Sequence, residues 1–268
     1  MTKEISITAE GGVQMMRFLR PEKKNAFTGP MYEAMSEALD AAESNDAIAV
    51  HVFIGSGGVF SAGNDINDFL RRAAAVASDA KGGGQGIPAP SLQFIRRLPK
   101  VGKPMIAAVD GLAIGVGATM LLHCDLIYAT PAASLRAPFL DLGLVQEAGS
   151  SILAPACLGY PRAFELLCLG EPFGAQRALE AGLINAVVPA DQLEATALKA
   201  ARRLAAKPRQ ALMTSRRLLR QSLPDIGAMI DAEAEAYRTL MASPEAREAF
   251  TAFLEKRPPD FAKVRQTG

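Results

Sequence analysis

The sequence predicts an α/β protein whose final quarter is entirely helical. Two observations predict it. Up to about Thr130, short runs rich in apolar and β-branched residues, closed by glycine turns, alternate with segments of helical periodicity. From about residue 190 the strand signals cease, and Pro208, Pro224 and Pro244 each suit the first turn of a new helix. The 268 residues, 49% of them hydrophobic, are enough to bury a large core in one or two domains.

Ile5 to Thr8 and Val13 to Leu19 read as a strand pair around Gly11-Gly12. Thr28 and Pro30 suit a helix start, and Met31, Met35 and Leu39 follow at helical spacing. Ala47 to Ile54 reads as a buried strand, closed by Gly55-Ser56-Gly57-Gly58. Residues 72 to 90 pass from Ala-rich sequence into Lys81-Gly82-Gly83-Gly84 and read as a mobile surface loop. Pro104 to Asp110 is the next strand, then a glycine turn and an apolar helix from Gly111 to Leu122, then a short strand from Leu126 to Thr130. In the helix after Pro224, Ile226, Met229, Ile230, Tyr237, Leu240 and Met241 form one apolar stripe that needs a packing partner. Ser243 is the expected cap of the last helix. The division expected is a core over 1–200 that carries the site and a helical region over 201–268. No strong internal repeat is visible.

A formal net charge of +1 gives no argument for nucleic acid or for an acidic membrane surface. The three cysteines, Cys124, Cys157 and Cys168, form no C-x-x-C pair and read as small buried hydrophobes. No metal site is expected. The N-terminus lacks an apolar signal core, the C-terminus is not Ser-Lys-Leu, and no apolar run reaches the length of a membrane span. A cytoplasmic protein is the expectation.

Two loops carry chemistry. Gly57-Gly58-Val59-Phe60-Ser61-Ala62-Gly63-Asn64-Asp65-Ile66 follows a buried strand and precedes a helix. Glycines there let the backbone turn tightly and approach a ligand, and a helix start leaves N–H groups unpaired. Lys103 to Ala118 repeats that logic through Gly111, Gly115 and Gly117. Taken singly, the first reads as a plain strand-to-helix turn and the second as close helix packing. Neither matches a P-loop or a dinucleotide fingerprint.

Together the loops resemble the crotonase family, the enoyl-CoA hydratase/isomerase family. The resemblance runs from about Ile5 to Phe261. It includes Arg20-Pro21-Glu22-Lys23-Lys24-Asn25-Ala26-Phe27, Cys124-Asp125-Leu126, Leu142-Gly143-Leu144, Ala178 to Val188 and Phe253-Leu254-Glu255-Lys256-Arg257. It implies a spiral of repeated strand-strand-helix turns, C-terminal helices that mediate trimers or paired trimers, and a coenzyme A thioester as substrate. No prosthetic group is implied. It also implies that the backbone N–H groups of Asn64 and Val116 hold the thioester oxygen; many relatives have glycine at the second position. The resemblance further places Lys23, Lys24, Ala26, Ala62, Gly63, Asp65 and Ile66 along the coenzyme A portion. Gly115, Thr119, Phe139 and Asp141 would line the acyl pocket. Lys23 and Lys24 also read as solvated surface lysines, and Asp65 as a cap that orients the first loop.

Hydratases of the family use two glutamates, and the corresponding positions here hold Thr119 and Phe139. That departure argues against an ordinary hydratase. Leu142 to Ser151 instead resembles the Δ3,Δ2-enoyl-CoA isomerase branch, in which an acid at the position of Glu147 is the base. A free glutamate has a pKa of about 4.3, and an apolar setting with Phe139 in it would raise that value. The rival readings are a ring-epoxide or oxepin acyl-CoA isomerase and a catalytically silent acyl-CoA-binding member. Dienoyl-CoA isomerases and hydroxyacyl-CoA hydrolases fit less well, because they carry a further carboxylate where Phe139 stands. His51 and His123 read as structural.

Overall fold

The computed structural model describes residues 2–66, 68, 89–221 and 223–266. In chain order the strands are β1 (Ile5–Glu10), β2 (Val13–Phe18), β3 (Val50–Ile54), β4 (Met105–Val109), β5 (Leu112–Ile114), β6 (Leu126–Ala129), β7 (Ser134–Arg136), β8 (Phe173–Gly174) and β9 (Ala186–Val187). The helices are α1 (Gly29–Glu43), α2 (Pro90–Arg97), α3 (Val116–Thr119), α4 (Ser150–Leu158), α5 (Tyr160–Phe164), α6 (Ala175–Glu180), α7 (Ala190–Ala205), α8 (Arg209–Arg220), α9 (Ile226–Met241), α10 (Pro244–Leu254) and α11 (Phe261–Gln266). The loop expected at 72–90 falls outside the described residues as far as 88, and Pro90 already opens α2.

β1 and β2 form an antiparallel hairpin through Gly11 and Gly12, both at positive φ. β2, β3, β4, β6 and β9 then run parallel in that order. Every residue of β3 and β4 is buried, as a parallel sheet covered on both faces requires. On one face Leu193, Ala197 and Ala201, four residues apart along α7, pack on Val13, Val50, Val52, Ile106 and Ala108. Residue 200, where the division was expected, lies inside this continuous helix. The other face joins the main core through Phe18, Phe53, Met105 and Ala107, against Met31, Met35 and Leu39 of α1.

A second sheet, β5-β7-β8, lies beyond the first. β4 leads into β5 and β6 into β7, each within a few residues, so the chain steps from one sheet to the other on each turn. Bridges between Ser61 and Ala113 and between Phe27 and Asn64 continue the second layer to the two preceding turns. This is the spiral of repeated units. Its repeat is one of backbone pairing, which explains why no sequence repeat announces it.

The stripe on α9 finds its surface: Ile226, Ile230, Tyr237, Leu240 and Met241 pack on the main core. Ser243 caps α10, its Oγ accepting from Ala246 N at 3.0 Å, and Pro244 takes the first helical position. The other two prolines sit before the first helical residue, Pro208 by one position and Pro224 by two. Pro208 is itself the cap residue of α8, and Pro224 precedes the Asp225 cap of α9. Cys124 and Cys168 are half-buried, whereas Cys157 is exposed and corrects the expectation of three buried thiols. His51 is buried in β3 with Nδ1 2.9 Å from Gln14 Oε1, and burial holds its pKa down at about 3. No helix among the described residues is long and apolar enough to cross a membrane.

Candidate active site

The first loop is held on the Arg20–Phe27 segment. Asn25, fully buried at φ 51, donates through Nδ2 to the carbonyls of Ser56 and Val59 at 2.9 and 2.7 Å. Its Oδ1 accepts from Arg20 N at 2.8 Å. Lys24 contributes its carbonyl, which accepts from Ala62 N at 2.9 Å, while Lys23 and Lys24 are both exposed. Ala26 is buried, and its carbonyl accepts from Arg20 Nη1 at 2.6 Å. That guanidinium also pairs with Asp65 Oδ2 at 3.2 Å, which ties Asp65 to the Arg20–Phe27 segment. Ile66 packs against the core.

Backbone bonds then aim the peptide that matters. Phe27 N donates to the Gly63 carbonyl at 2.7 Å. The carbonyl and N–H of one trans peptide point opposite ways. The Asn64 N–H is therefore directed away from Phe27, toward the flank where β5 lies. Tyr32, buried on α1, donates its hydroxyl to Asn64 Oδ1 at 2.6 Å.

The second loop arrives at that flank. Ile114 N donates to Ser61 O, and Ser61 N to Leu112 O, each at 2.9 Å. Gly63 has φ +85, and a Cβ built on it would lie 2.6 Å from Ile114 O and 3.7 Å from Gly115 Cα. Only glycine permits that approach. Gly115 (φ 56) turns the chain into α3, and its carbonyl accepts from Ala118 N and Thr119 N at 2.9 Å. By the same peptide geometry the Val116 N–H points out of the helix start. Val116 itself is helical, so its branched side chain costs the turn nothing; Gly115 carries the unusual dihedrals. Among the described residues neither the Asn64 nor the Val116 N–H is given to a backbone carbonyl. Two adjacent turns thus offer two N–H groups that can donate to an oxygen.

Thr119 is 2% exposed, and its Oγ1 has no hydrogen-bond partner among the described residues. Phe139 is buried. Asp141 is exposed and pairs with Arg136 at 3.1 Å, so its carboxylate is engaged at the surface and not among the buried groups. Glu147 lies in the loop before α4, between buried Leu144 and Ala148, with its Oε1 shielded from solvent. The backbone turns sharply after it: Ala148 has φ 64 and Gly149 φ 68.

Two residues without an expected site role hold that turn. His123, at the end of the 3-10 helix Met120–His123, has Nε2 2.7 Å from Ala148 O. Burial lowers its pKa to about 4, so at neutral pH the ring is neutral and Nε2 carries the proton it donates. Glu233 of α9 accepts from Gly149 N at 2.6 Å and from Ser151 N at 2.9 Å. Burial pushes its carboxyl pKa up. Glu233 left a trace in the sequence: it is an acid on the apolar stripe, three residues after Ile230 and four before Tyr237.

Known proteins share this architecture. The enoyl-CoA hydratase/isomerase family profile matches residues 8–264. The chain is 34% identical over 253 residues to the 1,2-epoxyphenylacetyl-CoA isomerase of Escherichia coli (strain K12), covering 94% of this chain and 95% of that protein. It is 31% identical over 258 residues to enoyl-CoA delta isomerase 2 of Rattus norvegicus, covering 96% of this chain and 65% of that protein. The crystal structure of an enoyl-CoA hydratase/isomerase from Pseudoalteromonas atlantica T6c superposes with a TM-score of 0.87 at 34% identity, covering 97% of this chain and 100% of that one. With the profile matching nearly its whole length, the chain belongs to the enoyl-CoA hydratase/isomerase family.

Proposed function

We propose that this protein is an acyl-CoA isomerase that moves the double bond of a 3-enoyl-CoA to the 2-position. The thioester oxygen rests on the N–H groups of Asn64 and Val116. Glu147 takes a proton from C2, the negative charge spreads onto the oxygen, and Glu147 returns the proton at C4. No water enters the product, so one carboxylate suffices. Fixed N–H donors stabilise the enolate oxygen more than the neutral carbonyl, which is what lowers the barrier. Each such donor contributes roughly 3–4 kcal/mol.

One observation carries this reading. Of the three positions where family resemblance puts catalytic carboxylates, two hold Thr119 and Phe139, both buried, and the third holds Glu147. A threonine hydroxyl and a phenyl ring cannot deliver the two proton transfers that adding water needs. The test is Glu147→Gln assayed on linear 3-enoyl-CoAs. Isomerisation should fall by about 10²–10⁴-fold, the range for loss of a general acid–base. Wild-type turnover would sink the reading.

A second reading, a ring-epoxide acyl-CoA isomerase, is favoured by the E. coli relative, which matches over almost its full length. It uses the same N–H pair and the same carboxylate on a ring-derived thioester. Turnover of ring-derived in place of linear substrates would select it. A member that binds acyl-CoA without catalysis would show no Glu147-dependent deuterium exchange at the α-carbon.

We also infer contacts between copies of the chain, in a trimer or a pair of trimers. Leu218 and Leu219 on α8 and Phe253 and Leu254 on α10 are large apolar side chains left exposed. Light scattering of the purified protein tests this, and a monomer at micromolar concentration would refute it.

A further inference from the structure

We propose that His123 and Glu233 are positioning residues that lock the turn carrying Glu147 at a fixed place relative to the Val116 N–H. The proposal rests on Glu147 being the base.

The backbone at Ala148 needs an explanation. A non-glycine residue at φ 64 is uncommon and costs about 1–2 kcal/mol. Such strain persists only where surrounding contacts over-determine it. Here they do, from both sides. His123 donates to the Ala148 carbonyl at 2.7 Å. Glu233 accepts from the next N–H, Gly149, at 2.6 Å and from Ser151 at 2.9 Å. Both groups are buried, His123 at 0% and Glu233 at 5% exposure, so no water competes for these bonds.

The placement of His123 gives the clamp its purpose. Val116 opens α3, and the chain runs on through Met120–His123 without a loop. One rigid segment therefore presents the candidate oxygen donor at its first residue and grips the neighbour of the base at its last. Movement of the base loop relative to the donor requires breaking the His123 bond. Glu233 adds the second constraint from α9, whose stripe is packed on the core through Ile230 and Tyr237. The helical C-terminal region thus reaches a loop that the sequence assigns to the core. Its contribution is a carboxylate at the start of α4, where the N–H groups of Gly149 and Ser151 would otherwise be buried without acceptors.

The measurement is kcat and KM for 3-enoyl-CoA isomerisation, with deuterium exchange at the α-carbon of an acyl-CoA as an independent readout. The variants are His123→Met, His123→Gln, Glu233→Gln and Glu147→Gln. The Gln side chain at 123 carries an N–H donor close to the place of Nε2, so it restores the bond that Met removes. The expected result for H123M is a kcat about ten- to hundredfold lower with KM within about threefold, since a displacement near 1 Å costs about that much. H123Q should recover most of the loss. E233Q keeps one acceptor oxygen but turns an NH₂ group toward the other N–H, and should show the same split between kcat and KM. Thermal melts and binding of a saturated acyl-CoA establish that each variant is folded. The proposal is overturned if H123M and E233Q turn over like the wild type while E147Q is inactive. It is equally overturned if H123Q and H123M lose the same activity, or if KM rises as much as kcat falls. If H123M fails to fold, E233Q and H123Q carry the same decision. An active E147Q would instead overturn the assignment of the base, a result distinct from all of these.

Discussion

The Tyr32 hydroxyl donates to Asn64 Oδ1 at 2.6 Å, tying α1 to the residue whose N–H faces the second glycine loop. Tyr32 is 1% exposed and also stacks edge-on with Phe27, the residue that holds the Gly63 carbonyl. The side chain and the backbone of the 63–64 peptide are thus anchored by neighbours that touch one another. Tyr32→Phe keeps the ring and deletes the hydroxyl. Steady-state kinetics should show kcat/KM reduced by about three- to tenfold, and chemical denaturation a loss of about 1 kcal/mol. An unchanged kcat/KM would mean that the Asn64 side chain has no part in aiming its N–H.

Gly63 and Gly115 should tolerate alanine differently, although both have positive φ. At Gly115 a Cβ meets nothing within 4 Å, so Gly115→Ala carries backbone strain alone, about 1–3 kcal/mol. At Gly63 the same methyl would lie 2.6 Å from Ile114 O, a backbone atom that cannot swing aside. Gly63→Ala must part the two loops, and it should cost clearly more stability and abolish turnover. Melting temperatures and assays of the two variants side by side check this. Equal effects would mean that the loops do not need their present approach.

Both histidines are buried and neutral, and this sets a pH dependence of stability. The pKa of His123 is lowered from 6.5 to about 4, and that of His51 from 6.5 to about 3, burial being the main cause of each. Between those values and 6.5 the unfolded chain binds protons that the folded chain refuses. Stability is fully present above pH 6.5 and falls as the pH drops toward 4. The His123 contribution alone is on the order of 3 kcal/mol. Glu233, whose pKa is raised, works the other way over the range just above the ordinary carboxylate value and offsets part of the loss. Urea midpoints measured from pH 7 to 4.5 should decline, and His51→Gln should flatten the curve. A flat wild-type curve would show that the rings are protonated in the folded protein.

Five of the six strands of the large sheet were legible, β3 and β4 most clearly because they are continuous buried apolar runs bounded by glycines and prolines. β9 was not, and neither were β5, β7 and β8. They are two or three residues long, and their pairing is set by partners such as Ser134 and Gly174 that lie far apart in the chain. Gly63 and Gly115 mark where the backbone bends, but it is the family resemblance that assigns Asn64 and Val116 as N–H donors. The clamp on Ala148 could not be read from the sequence. His123 looks like any core histidine until its acceptor is known, and Glu233, with Asp231 and Glu235 beside it, differs from them only in lying on the apolar stripe, while its partners are the distant backbone N–H groups of Gly149 and Ser151. Backbone partners leave no mark on side-chain sequence. Asn25 was equally opaque: it sat inside a recognised motif, but its hold on Ser56 and Val59 depends on the return of the chain through β3.

Thr119 gives the sharpest test of whether this site moves protons without water. Its Oγ1 is buried and has no partner among the described residues, and a buried unpaired hydroxyl costs about 1–3 kcal/mol. Thr119→Val removes that cost while keeping the branched shape. If the site relies on Glu147 alone, T119V should isomerise 3-enoyl-CoA within about threefold of the wild type and melt at an equal or higher temperature. If the hydroxyl instead orients a water or a substrate oxygen, removing it should lower kcat by tenfold or more despite the gain in stability. Assaying T119V on a 2-enoyl-CoA as well distinguishes the two cases. A measurable hydration activity in the wild type that T119V abolishes would assign the hydroxyl a water-handling role. No such activity in either protein would leave Glu147 as the sole group exchanging protons with substrate.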